Sequence, residues 1–445
     1  MPSIKSMPGT RALALDALHK ICDQGRKPKG VIEELSGSLD KRERSFLMEL
    51  VYGVLRYRDT IDWALHSLLR KPLGLSQETR NNLRLAAYQI LFTRVQDWAA
   101  VNEAVELEKH KGRPEVVNGV LRSLLRKPST ERVNLAPVER KGAVPYIALA
   151  TSHPSWLIKR WVKRFGEKGA RELAEANNRV PPFTLRVNTL RCTRDQFLRR
   201  LSSLGVTGEP TPFSPDGITL KGFPAMKELS SLRDSFVVQD EAAQLITYLL
   251  EPKSGERILD ACASPGGKTT HIAQMIKDRG EILALEIDEG RIPQLKENMS
   301  NLNINSITVL HGDFIELNKS RKCYFDSIML DAPCSALGVI RRNPDIKYRR
   351  TPEDLKGFTN KQLTMLRAAA KMVKPGGSIV YSVCSTEPEE GEEVVKEFLK
   401  DSADFYIIDT ALPFLQKFVK EGLFRTYPHI HDMDGFFGVR LCKRV

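Results

Sequence analysis

No apolar run in this chain of 445 residues approaches the ~20 residues that a membrane-spanning helix needs. The opening stretch, "MPSIKSMPGTRALALDALHK", lacks the apolar core and the cleavage site of a secretory signal. A cytoplasmic protein that meets no membrane is expected. Cysteine is sparse. The seven thiols are odd in number and no two form a CxxC pair. That spacing argues against a disulfide framework and a zinc site. His429 and His431 in "PHIHDMD" have no evident third ligand nearby, so no metal is expected. The GxGxxG fingerprint of dinucleotide binding is missing too.

What is present is positive charge, unevenly placed. Residues 1–140 hold 24 Lys+Arg against 17 Asp+Glu, and residues 141–240 hold 16 against 9. Residues 241–445 are balanced, 28 against 29. A basic accessory region beside a neutral domain suggests a polyanion gripped by one part and worked on by another. A merely solvated basic surface would have the same composition.

The chain divides into three by pattern. Residues 1–140 carry apolar residues at three- and four-residue spacing, as in "RERSFLMELVYGVLRYRDTIDWALHSLL" and "QETRNNLRLAAYQILF". Short breaks between such helices predict an all-α bundle. Residues 141–235 combine a Trp-rich basic helix, "HPSWLIKRWVKRFG", with short strands "PPFTLRVNTL" and "GITL". This reads as a small α+β linker domain able to grip single-stranded RNA by charge and stacking, or as a packing module with a basic face. Residues 236–445 alternate strands and helices, which predicts a mostly parallel, doubly wound sheet. The last strands, "DFYIID" and "FFGVRLCK", can pair as an antiparallel edge.

Ligands of such sheets sit at the carboxyl ends of the strands. The first ends in "DACASPGGKTTHI", where Gly266 and Gly267 let backbone approach a ligand at a helix start. "GGKTT" is like the end of a P-loop, but that motif needs a glycine where Cys262 stands. The second strand ends at Glu286, about twenty residues on, where an acid can accept from both ribose hydroxyls. The third ends in "HGDF". There Asp313 could accept from an adenine amino group and Phe314 could flank the ring. An adenine nucleoside without a phosphate grip points to S-adenosylmethionine rather than NAD.

The fourth strand ends in "DAPCSALGVIRRNPDIKYRR" and the fifth in "YSVCSTEPEE". Enzymes that methylate an exocyclic amino group carry an aromatic residue where Cys334 stands. A thiol there suits a pyrimidine C5, which is too weak a nucleophile unaided. A thiolate adding to C6 makes C5 an enamine carbon. A base must later remove the C5 proton. Neighbouring strands would bring Cys334 and Cys384 together although 50 residues separate them. Cys384 is expected at a helix start, which favours a thiolate. Pattern alone leaves open which thiol attacks. Cysteines are commonly small core residues, and Cys22, Cys192, Cys323 and Cys442 are assigned to that role.

These motifs resemble RNA cytosine-5 methyltransferases of the NOL1/NOP2/Sun (Fmu) class. "FTLRVNTL" and "DGFFGVRLCK" are similar to its first and last motifs. The helical region resembles a NusB-type RNA-binding bundle. The resemblance implies a Rossmann-like methyltransferase domain with S-adenosylmethionine as methyl donor. The implied substrate is a cytosine of 16S ribosomal RNA, usually cytosine 967, in free RNA or an early small-subunit particle. It implies Cys384 as nucleophile, Cys334 as the base that assists release, and Asp331 at cytosine N3 beside the cofactor. Cys262, Ala263, Ser264, Pro265, Gly266, Gly267, Lys268, Glu286, Asp313 and Asp331 would bind the cofactor. The class often has Ala, Thr and Asp where Ser264, Val383 and Glu286 stand. The "RRNPDIKYRR" turn would hold flanking phosphates. A monomer is the default expectation. Rival readings are an inactive RNA-binding assembly factor, a methyltransferase acting on transfer RNA or uracil C5, and a P-loop NTPase.

Overall fold

The computed structural model describes residues 9–69, 74–109, 113–222, 228–320 and 324–445. Cys323 lies outside them. The chain forms two compact units, one of residues 1–179 with 343–349 and one of 180–342 with 350–445.

The first unit is helical. Its longest helix, Lys41–His66, starts at a capping box. The Asp40 carboxylate accepts the Glu43 N–H at 2.8 Å, satisfying one of the helix's orphan donors. Leu47, Leu50, Val51 and Val54 are the buried stripe of that helix. They share a core with Leu83, Ala86 and Ala87 of the helix Gln77–Phe92. Gly53 is needed at this contact, because a Cβ there would lie 2.0 Å from the Tyr88 ring. The helices Ala143–Thr151 and Ser155–Asn177 belong to this unit as well, whereas the sequence pattern grouped them with the linker domain. The segment 343–349 belongs here too. Its Lys347 is buried and donates to the Arg56 carbonyl at 2.7 Å and to Asn178 Oδ1 at 3.1 Å.

The second unit contains two sheets. The strands β1 (Phe183–Val187), β2 (Gly208–Pro210), β3 (Gly217–Leu220) and β4 (Phe236–Val238) form an antiparallel sheet in the order β2-β3-β1-β4. The larger sheet holds β5 (Arg257–Asp260), β6 (Glu281–Glu286), β7 (Ile307–His311), β8 (Phe325–Asp331) and β9 (Val373–Val383), all parallel. It continues through β10 (Phe405–Ile407), β11 (Val419–Lys420), β12 (Leu423–Thr426) and β13 (Phe436–Lys443), which run antiparallel. The order is β11-β12-β13-β9-β8-β5-β6-β7, with β10 paired to β13. The expected antiparallel edge is therefore present. The central parallel strands carry continuous apolar runs, as burial on both faces requires: Ile258–Leu259, Ile282–Leu285 and Ile328–Leu330. In β8, Ile328, Met329 and Leu330 are all fully buried. Parallel pairing puts five carboxyl ends along one edge of the sheet.

Candidate active site

The loop after β5 turns at Gly266, whose φ of +99° is left-handed and costs a glycine least. A Cβ at that position would meet Leu295 at 2.6 Å. The helix Gly267–Met275 starts directly after it. Arg186 of β1 holds that start. It is fully buried and donates to the Gly267 carbonyl at 2.6 Å, to Thr270 Oγ1 at 2.9 Å and to the Gln239 side chain. Burial pushes its guanidinium down to about 10. Asp260, the last residue of β5, is buried. Its Oδ2 accepts from Thr269 Oγ1 at 2.7 Å. Among the described residues, neither its Oδ1 nor Ser264 Oγ in the same loop, both buried, has a hydrogen-bond partner. Burial raises the Asp260 carboxyl to about 6 against the Thr269 hydrogen bond, and the Asp331 charge adds to the rise. Burial likewise holds the Cys262 thiol well up, so this cysteine is a neutral wall residue.

At the next two ends, Glu286 is buried and accepts the Asp288 N–H at 2.9 Å. Asp313 is exposed and accepts the Ile315 N–H at 2.6 Å, capping the helix Phe314–Ser320. Phe314 is spent in the core with Leu259 and Leu285, because its ring turns inward at the start of that helix.

β8 and β9 end side by side, with Asp331 opposite Ser382. Ser382 Oγ donates to Asp331 Oδ1 at 2.8 Å, and Lys268 Nζ reaches Asp331 Oδ2 at 2.7 Å. Burial would lower the Lys268 ammonium, but Asp331 overcomes this and raises it, with the Cys384 sulfur contributing. Beyond the strand ends, Cys334 Sγ and Cys384 Sγ lie 3.3 Å apart. The hydrogen bond shared with Cys384 lifts the Cys334 thiol well above its ordinary range; burial and the charges of Cys384 and Glu390 act in the same direction. The Gly338 N–H donates to the Cys384 carbonyl at 3.0 Å, and the Gly435 N–H to the Gly338 carbonyl at 2.8 Å.

The structure thus gathers Cys334, Cys384, Asp331 and Lys268 in one cluster, with the loop from Cys262 to Gly267, Glu286 and Asp313 at neighbouring strand ends. Two expectations are corrected. Cys384 does not open a helix: a 3-10 turn, Pro388–Glu390, and then the α-helix Glu392–Asp401 follow it, and the nearby cation is Lys268. The "RRNPDIKYRR" turn is not a free phosphate grip. Arg341 pairs with Asp434 at 2.9 Å, and Arg342 with Asp240 and Asp434 at 2.6 Å each. Lys347 is buried, Arg349 pairs with Asp345 at 2.9 Å, and Arg350 donates to the Ser335 carbonyl at 3.0 Å. Sequence reasoning missed Arg186 and Asp260. The signal for Arg186 was a charge inside an apolar strand, since arginine is almost never fully buried unless paired.

A doubly wound sheet with these strand ends defines a methyltransferase of the S-adenosylmethionine-dependent class. The residues fit that donor: two buried polar atoms lack partners among the described residues beside a loop that turns at Gly266, where a Cβ has no room. A family profile described as 16S rRNA methyltransferase RsmB/F matches residues 247–442, a ferredoxin-like domain profile of RsmF/B-like methyltransferases matches 153–227, and a NusB profile matches 8–126. The chain belongs to the RsmB/F methyltransferase family, and S-adenosylmethionine is its methyl donor. It is 35% identical to the probable ribosomal RNA small subunit methyltransferase B of Bacillus subtilis (strain 168), covering 98% of each chain. It is 35% identical to the ribosomal RNA small subunit methyltransferase B of Salmonella newport (strain SL254), covering 99% of this chain and all of that one. The crystal structure of PH0851 matches with a TM-score of 0.82 at 26% identity, over 98% of this chain and 99% of that one.

Proposed function

We propose that the protein methylates C5 of a cytosine in 16S ribosomal RNA, cytosine 967 by the resemblance, through a covalent bond from Cys384 to C6. The observation that carries the reading is the 3.3 Å contact between two thiols at adjoining strand ends. Amino-group methylation has no use for a second thiol, whereas C5 methylation has work for both. RNA as substrate is supported by the relatives, each called a ribosomal RNA small subunit methyltransferase B, and by the basic N-terminal half.

The resemblance gives the attack to Cys384; the Cys334 thiol is held well above its ordinary range by the hydrogen bond it shares with Cys384. The Cys384 Sγ–C6 bond forms and the C5–C6 π electrons become nucleophilic at C5. S-adenosylmethionine, when bound, supplies the electrophilic methyl group. Cys262 to Lys268, Glu286 and Asp313 would hold it, with Asp260 beside them. Asp331 faces N3 of the cytosine, held by Lys268 and Ser382. Once Cys384 is bonded to carbon, the interaction that held the Cys334 proton is gone. Cys334 can then lose that proton to solvent and, as a thiolate, take the C5 proton while the C6–S bond breaks and Cys384 leaves as a thiolate. The target cytosine must be unstacked to be reached in this way.

The test is a denaturing gel of Cys334→Ala mixed with S-adenosylmethionine and unmodified 16S RNA. A slow protein–RNA band is expected, absent when Cys384 is also replaced. A band that instead needs Cys334 in a Cys384→Ala protein reverses the roles. Methyl transfer by the wild type with no band from either variant refutes the covalent route.

A further inference from the structure

Both cysteine turns converge on one residue that the chemistry above does not use. Glu390 is fully buried. Its Oε1 accepts the Ser335 N–H at 2.7 Å and Gln362 Nε2 at 3.1 Å. Its Oε2 accepts the Ser385 hydroxyl at 2.5 Å and the Ser335 hydroxyl as well. Ser335 directly follows Cys334, and Ser385 directly follows Cys384. Gln362 also donates to the carbonyl of Pro333, the residue before Cys334, at 3.0 Å. The Glu390 carbonyl in turn accepts from Tyr381 Oη at 2.6 Å, so strand β9 fixes the clamp itself. All four donors to the carboxylate are neutral. A buried carboxylate is costly unless fully hydrogen-bonded, and this one is satisfied by groups flanking the two thiols.

The turn it holds is not relaxed. Ala336 has a φ of +62°, a left-handed backbone that disfavours any side chain. Such conformations persist where the surroundings over-determine them. Glu390 supplies that constraint through both the backbone and the side chain of Ser335.

We propose that Glu390 is a positioning residue that staples the Cys334 turn to the Cys384 turn and so sets the separation of the two sulfurs. The proposal rests on the two-thiol reading, and its test reads sulfur spacing separately from methyl transfer.

Phenylarsine oxide bridges two thiols only where they are adjacent. The full-length wild type should be captured, and Cys334→Ala and Cys384→Ala should not. Glu390→Ala should slow capture by roughly tenfold or more. It should also lower kcat by roughly a hundredfold, the cost of about 1 Å of misplacement, with KM for S-adenosylmethionine within about twofold. Glu390→Gln should rescue both. Its amide oxygen can face the two N–H donors, and its amide nitrogen can donate to the two hydroxyls, which rotate to accept. If Glu390→Ala does not fold, the Ser335→Ala/Ser385→Ala pair takes its place, with a smaller loss in the same direction. Capture at the wild-type rate in the alanine variant overturns the proposal. So does a glutamine variant as impaired as alanine. Slow capture with undiminished methyl transfer supports the staple and instead overturns the two-thiol reading.

Discussion

Gly338 is where the site has least room to give, so Gly338→Ala is the sharpest perturbation available. A Cβ there would lie 1.9 Å from the Gly435 carbonyl oxygen and 3.0 Å from that of Cys384. Contacts under 3.0 Å are essentially never seen, so the first must open by at least 1.1 Å. Neither neighbour is a flexible side chain. The movement must come from the backbone of the Cys384 turn, of Gly435, or of both. Two hydrogen bonds cross this point, Gly338 N–H to Cys384 O and Gly435 N–H to Gly338 O. Overpacking of this kind costs about 1–3 kcal/mol, and a strained or lost hydrogen bond about 1 kcal/mol more. A displacement of about 1 Å at a reacting sulfur lowers turnover roughly a hundredfold. The assay is methyl incorporation into unmodified 16S RNA, paired with urea unfolding. Gly119→Ala is the control. That glycine lies in the helix Pro114–Arg126 with no atom within 4 Å of a Cβ, so its replacement should stabilise by about 0.5–1 kcal/mol. A Gly338→Ala protein with turnover within about threefold of wild type and unchanged unfolding refutes the reasoning.

Lys268→Met should destabilise the protein by about 2 kcal/mol. Breaking a buried pair costs about 3–5 kcal/mol, reduced here because the Asp331 side chain is 30% exposed and keeps Ser382. A double-mutant cycle with Asp331→Asn measures the coupling, and a value under about 0.5 kcal/mol contradicts the pairing. Asp260 gives a pH signature. Burial raises its folded carboxyl to about 6, above the unfolded value of about 3.9. The folded state therefore binds more protons, and stability falls as pH rises from about 4 to 6. Asp260→Asn lacks this loss, so its unfolding free energy should gain on wild type by about 2 kcal/mol between pH 4 and 7. A difference flat across that range means the carboxyl is not raised.

Much of the fold was legible because its signals are local. Helical spacing over residues 10–126 and strand–helix alternation after 236 each repeat within a few residues. The pairing of Cys334 with Cys384 was legible for a different reason. Parallel strands put their carboxyl ends on one edge, so reading each end in turn reconstructs the pocket. What stayed hidden depends on partners far away in the chain. Arg341 and Arg342 read as a basic turn because nothing nearby in sequence neutralises them; Asp434 and Asp240 do so from more than 90 residues away. Lys347 read as part of the same phosphate-holding turn, yet it donates to a backbone carbonyl inside the helical unit. Glu390 sits in "TEPEE", an acidic run that looks exposed, and only the fold turns it inward. A charged residue is placed by where its counter-groups lie, and composition cannot supply that. The apolar pattern therefore places the two thiols, while the charges around them become legible only through the fold.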